Sequence, residues 1–343
     1  MLNRDGPVAT IRHVARHAGV SVATVSYVIN ETRYVSPELR QRVLEAIAAL
    51  NSHPNRLARA LSRKAMPLLA FVVPDTSNPF WSCAVRAAQH VADQHGYMTI
   101  VCSTDGLLQR EVGFLQSLSG WISGVILHPY RVTAEHLRSY MAEDVAVVLL
   151  GDFLVPEQQP SRWDYVRGDN EGAAVQAVEH IIGLGHRSIA FIQGPPDTPS
   201  GTRRLAGFRR AHELAGLLVD ENLLIPGDYT RMAGRAGLAR LLSLPNPPTA
   251  VFCANDLMAL GVLEAAQQRG CCIPSDLSVV GFDDVEEAQW SLPGLTTIHQ
   301  PPDRLGAAAT ELLIERLQGR TEPRCVWSER SLVIRGSTAP PKQ

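Results

Sequence analysis

Between residues 10 and 30 two short segments of helical apolar periodicity flank a four-residue break, Ala18-Gly19-Val20-Ser21, and few arrangements accept so tight a turn between helices. Thr10 is placed to cap a first helix in which Ile11, Val14, Ala15 and Ala18 share one face. Gly19 is free to take positive φ and end that helix, and Ser21 then caps a second. In the second helix Val25, Val28 and Ile29 face the first, while Val22, Ala23, Ser26 and Tyr27 point away. The pattern reads as a helix-turn-helix. Small side chains such as Val22 and Ala23 suit thymine methyls in a major groove, and Ser21, Thr24 and Asn30 suit phosphates. An ordinary helical hairpin is the alternative that these residues alone leave open.

A third helix is expected from Ser36, as cap, through Pro37, Leu39, Val43, Ile47 and Leu50. The basic run from Pro54 to Lys64 has helical composition and reads as a linker. Charge divides the same way. Residues 1 to 64 hold ten Lys or Arg against four Asp or Glu, a net of +6, and the rest holds 22 against 30, a net of −8. One end of the chain is thus suited to a polyanion and the other is not.

From Leu68 onward short β-rich runs alternate with amphipathic ones. Strands are expected at 69–73, 99–102, 124–127 and 146–150, and again near 188–192, 250–253 and 278–282. Such alternation predicts parallel sheets covered by helices, and two of them in tandem predict a cleft beyond the carboxyl ends of the strands. The length of 343 residues itself calls for more than one core.

Three separated runs, TIRHVARHAGVSVATVSYVIN, YVSPELRQRV and NSHPNRLARALSRK, resemble the DNA-binding head of the LacI/GalR family of transcriptional regulators in order and spacing. The resemblance continues through DTSNPFW, GDNEGA, GHRSIAFIQGP, RRLAGF, PPTAVFCANDLMALG, SVVGFDD and LTTIHQP, nearly the whole chain. It implies a multidomain protein with an all-α helix-turn-helix head over residues 8–53 and a hinge helix and linker over 54–66. A periplasmic-binding-protein-like α/β body over 67–338 follows, built of two doubly wound parallel-sheet lobes joined by three crossovers. The implied function is repression from a palindromic DNA operator by a homodimer, under allosteric control by a small-molecule effector, a sugar or sugar derivative. A purine-type or protein effector and a role in activation stay open.

The resemblance places Thr10, Ser21, Val22, Ala23, Thr24, Ser26, Tyr27, Asn30, Tyr34 and Ser36 against DNA. It gives Leu61 the part of a minor-groove wedge with Asn55 and Ala58 beside it, against the plainer reading of a linker leucine packing on the body. His13 departs from the family pattern, which has an aspartate there, and the reciprocal capping box is lost. For the effector it implies Asn78 and Phe80 from one lobe and Arg204, Asn255 and Asp283 from the other, with Asp152 and Gln300 in reach. Asp283 accepts from paired hydroxyls and Arg204 donates a fork, although the two also suit a structural ion pair. Trp81, Trp163 and Trp290 are candidate stacking faces or core residues, and Asp256 and Asp284 are expected to cap helices or pair locally.

The six cysteines include no CxxC pair and no histidines at metal spacing, so they are expected to be reduced packing residues, with a switch at Cys271-Cys272 as the alternative. No metal or cofactor is expected. No GxSxG, P-loop or zinc motif points to an enzyme. The polar N-terminus and the short apolar runs predict a cytoplasmic location and no membrane partner, which also argues against a transport-type solute-binding protein.

Overall fold

The computed structural model describes residues 11–30, 33–50, 67–142, 145–153 and 162–342. They fall into two units, of which the smaller holds three helices, α1 (Ile11–Ala18), α2 (Val22–Asn30) and α3 (Pro37–Ala49). Val14, Ala15, Ala18, Val25, Val28, Val43 and Ala46 close a minimal core. Ile11, expected on the buried face, is 39% exposed because it occupies the first turn, ahead of the point where the helices meet. Gly19 has φ of +64° and Ser21 Oγ accepts the amide of Thr24 at 3.0 Å, so the break is the expected turn and cap. Arg42 braces it by donating to the carbonyl of Ala18 at 2.7 Å. Ser36 Oγ accepts from the amide of Leu39 at the start of α3.

The larger unit contains two six-stranded sheets. In chain order its elements are β1 (Leu68–Val73), α4 (Pro79–Gln94), β2 (Met98–Ser103), α5 (Leu108–Leu118), β3 (Gly124–Leu127), α6 (Ala134–Tyr140), β4 (Ala146–Leu150) and β5 (Asp164–Arg167). Then come α7 (Asn170–Gly183), β6 (Ile189–Ile192), α8 (Pro199–Leu214), β7 (Leu224–Ile225), α9 (Arg231–Leu242), β8 (Ala250–Cys253) and α10 (Asp256–Arg269). The chain closes with β9 (Ser278–Asp283), α11 (Glu286–Trp290), β10 (Thr296–His299), α12 (Pro302–Leu317), β11 (Cys325–Trp327) and β12 (Ser331–Val333). The first sheet runs β11-β5-β4-β3-β1-β2 and the second β12-β10-β9-β8-β6-β7. Apart from the antiparallel β12, the pairings in the second sheet are parallel.

The chain passes between lobes three times, after β5, after β10 and after β11, so α12 packs on α4 in the first lobe although the run just before it, β6 to β10, belongs to the second. Buried polar groups fix this late return. Asp164 on β5 is fully buried and accepts from Arg316 and Arg320 at 2.9 Å, which ties α12 to the sheet edge. His186 donates from Nε2 to the carbonyl of Ala339 at 2.8 Å and pins the C-terminal segment to the second lobe. No helix among the described residues is long and apolar enough to cross a membrane.

Candidate functional site: an interlobe cleft and an exposed recognition helix

Parallel strands deliver the loops that follow them to one edge of each sheet, and here both edges open on a cleft of about 360 Å³. Asn78, Phe80 and Trp81 reach it from the loop after β1 and the first turn of α4, and His128 and Tyr130 from the loop after β3. From the second lobe come Arg204 on α8, Tyr229 after β7, Asn255 after β8, Asp283 at the end of β9 and Gln300 after β10.

Of the residues expected at an effector site, seven line this cleft: Asn78, Phe80, Trp81, Arg204, Asn255, Asp283 and Gln300. Asp152 does not reach the wall itself. It accepts from Asn170 Nδ2 at 2.8 Å, and Asn170 Oδ1 in turn accepts from Arg204 Nε at 2.9 Å. Two tryptophans prove to be elsewhere. Trp163 is buried in the first lobe edge-on to Phe153, and Trp290 is 74% exposed at the end of α11, because Trp163 enters β5 and Trp290 leads back toward β10 at the amino ends of the strands, whereas the cleft lies beyond their carboxyl ends. Asp256 and Asp284 pair locally: Asp256 takes the hydroxyl of Thr297 at 2.5 Å and the amide of Val285 at 2.9 Å, and Asp284 bonds Arg335 and His299.

The two halves of the cleft are bonded very differently. Asp283 Oδ1 accepts from Gln300 Nε2 at 2.5 Å and lies 3.8 Å from Arg204, whose guanidinium also donates to the carbonyl of Ala254 and covers the ring of Phe282 at 3.6 Å. Asp283 and Arg204 thus form the ion pair that was one of the two expectations for them, and both side chains also line the cleft. Burial pushes the Asp283 carboxyl up to about 6 against the pull of Arg204 and Gln300. Asn78 and Asn255 spend their side-chain oxygens capping α4 and α10. On the first lobe a run of rings, Phe80 to Trp81 to His128 to Tyr130, continues across to Tyr229 with successive centroids 4.5 to 6.4 Å apart. His128 donates from Nδ1 to Leu150, and burial lowers its pKa to about 4, so it is a neutral acceptor at physiological pH.

Backbone strain gathers at the same place. Asp105, Tyr229 and Asp283 line the cleft with φ of 52°, 69° and 124°. His128, Tyr130, Tyr229 and Arg330 were not marked by sequence motifs, as each stands alone in a loop and gains its position only from the sheets.

In the three-helix unit Val22 is 44% exposed, Ala23 is exposed, and Thr24, Ser26 and Tyr27 are half-buried along the outer side of α2, with Arg33 over the Tyr27 ring. Tyr34 is 91% exposed. The backbone of Asn30 ends α2, while Thr10, Asn55, Ala58 and Leu61 lie outside the described residues.

The fold and the cleft define a two-lobed binding protein of the periplasmic type, and the three-helix unit adds a helix-turn-helix. The model for "Bacterial regulatory proteins, lacI family" matches residues 10–55 and that for a "Periplasmic binding protein-like domain" matches residues 178–338. Catabolite control protein A of Priestia megaterium is 36% identical over 314 residues, 91% of this chain and 93% of that protein. The HTH-type transcriptional repressor PurR of Vibrio atlanticus is 32% identical, covering 96% and 98%. A lac repressor dimer bound to operator and the anti-inducer ONPF superposes with a TM-score of 0.80 at 31% identity, covering 96% of this chain and 99% of that one. A complex of the transcriptional regulator CelR with cellobiose gives 0.69 at 33%, with the same coverage. The chain belongs to the LacI family: it is a DNA-binding transcriptional regulator of the repressor type with a ligand-binding body, not an enzyme.

Proposed function

We propose that the protein represses transcription as a homodimer on a palindromic operator, with affinity set by a polyhydroxylated effector, a sugar or sugar derivative, held in the interlobe cleft. The observation that carries this reading is the convergence of Asp283, Arg204, Asn255 and Gln300 on a cleft walled opposite by rings. Acceptors and fork donors suit paired hydroxyls, and ring faces suit the apolar face of a pyranose. A cellobiose complex and a ribose-bound regulator among the similar structures fit the same class.

Dimerisation is supported by exposed apolar side chains on both lobes, Met98 and Val101 on β2 and Trp290 and Leu292 near α11, surface that a second copy would cover. Residues 8–53 would read the half-site, 54–66 would form the hinge and 67–338 the sensor. The sensor lobes, closing about their three crossings, would change the spacing of the two heads.

The decisive experiment is retention of genomic fragments by the full-length protein, with and without a panel of sugars and purines, followed by sequencing. A palindrome whose occupancy one sugar shifts is expected. Salt-sensitive retention without sequence preference would overturn the operator reading, and a shift by a purine alone would overturn the sugar. Leu61→Ala should weaken operator binding and spare effector binding, and equal loss of both would remove Leu61 from the hinge.

A further inference from the structure

Arg330 sits in the connection between β11 and β12, the last crossing between lobes, and its side chain lines the cleft. Its Nε and Nη1 are buried and have no hydrogen-bond partner among the described residues. Arg204 is the contrast. It donates to Asn170 and Ala254 and lies 3.8 Å from Asp283. The two guanidiniums stand against one ring, their central carbons 3.6 Å and 5.5 Å from the centroid of Phe282. Two cations therefore share one wall, and the acidic group there, Asp283, already takes Gln300 and faces Arg204.

Leaving guanidinium donors unpaired in a buried site is costly, and a second cation alongside adds to the cost. Burial first, and then Arg204, lowers the Arg330 pKa to about 10, so it is still charged at neutral pH. Asp152, Asp283 and Asp169 pull its pKa the other way, but none of them bonds it: Asp152 accepts from Asn170, Asp169 caps the amide of Gly172 and Asp283 takes Gln300. The other acids along the cleft do not cancel its charge either. Asp75 caps the amide of Ser77, Asp228 that of Thr230, and Asp105 bonds Arg110. Asp105 and Asp228 are exposed, where solvent screens them.

We infer that the effector is anionic, a polyhydroxylated molecule bearing a carboxylate or a phosphate monoester, and that Arg330 binds this group while Asp283 and Asn255 hold hydroxyls. This rests on the sugar-type reading of the cleft. The two terminal nitrogens of a guanidinium offer donors in one plane, so an oxyanion reaching Arg330 Nη1 accepts side by side from Nη1 and Nη2. Because Arg330 belongs to a crossing segment, the charged end of the ligand would engage the connection between the lobes itself. Gly168, at another crossing, leaves room for it: a Cβ there would stand 2.5 Å from Arg330 Nε.

The test is calorimetric titration of the full-length protein at fixed ionic strength with matched sets, each a neutral hexose, its aldonic and uronic acids and its 6-phosphate. The acid or the phosphate should bind about tenfold or more tightly than the neutral parent, and which of them does so identifies the oxyanion. Arg330→Gln should abolish the preference, and Arg330→Lys, which keeps the charge without the fork, should retain part of it. The preference of the unmutated protein is informative even if a variant fails to fold. Neutral parents binding as tightly as their anions, with the ratio unchanged in Arg330→Gln, would overturn the inference and leave the sugar reading standing. Binding of a purine and of no polyol would overturn both.

Discussion

The first lobe lines the cleft with rings, Phe80, Trp81, His128 and Tyr130, whereas the second lobe, built on the same six-stranded plan, lines it with Arg204, Asn255, Asp283 and Gln300. The ionic half is cross-bonded within itself, from Asn170 through Arg204 to Asp283 and Gln300, and Asp152 of the first lobe joins it by accepting from Asn170. The ring half is held by packing. A pre-bonded polar network fixes donor and acceptor directions, and a ring face excludes water while tolerating small shifts, so the second lobe would select the ligand and the first would close over it.

The comparison breaks most readily at Asp283. Asp283→Asn keeps the shape but strands a buried cation, which costs about 3 kcal/mol of stability, and it removes the charged acceptor for effector hydroxyls, a loss of about 2 kcal/mol, or roughly 30-fold in effector affinity measured by titration. An unchanged response would remove Asp283 from the site and leave the second lobe without its selecting group. Phe80→Leu, on the other lobe, should cost about 1 kcal/mol of affinity through the lost ring face. If it exceeds Asp283→Asn, the division of labour is reversed.

Acidity tests the same contrast with a definite sign. The folded pKa of Asp283, about 6, lies above its unfolded value, so this group opposes folding at pH above 6 and that opposition fades as pH falls from 6 toward 4. Effector hydroxyls donate to the ionised form, so affinity should fall as pH drops below about 6 while the unliganded body gains thermal stability from this group. Affinity rising at pH 5 would contradict the assigned role. The smallest effect is expected at Arg131, which pairs with Asp197 across the lobes at 3.0 Å with both side chains substantially exposed. Arg131→Ala should change effector affinity by well under 1 kcal/mol, and a larger loss would make this pair a true latch.

Local pattern determined a good deal. Gly19 with Ser21 marked the turn and cap of the helix-turn-helix, because capping and positive φ are settled within a few residues. The alternation of strands and helices announced the parallel sheets and the cleft at their carboxyl ends, and motifs marked seven of its wall residues. What escaped were β5, β7, β10, β11 and β12, two to four residues long, and with the last two Arg330. So did Tyr229 and His128, each isolated in a loop with no periodicity to betray it. Those positions are decided by pairings between strands far apart in the chain. A segment such as β11 becomes a strand because β5 offers it an edge, and Arg330 faces the cleft because β11 and β12 belong to different sheets. The sequence carries the propensity of each element, but only packing brings Arg330 beside Arg204 and leaves its donors unpaired.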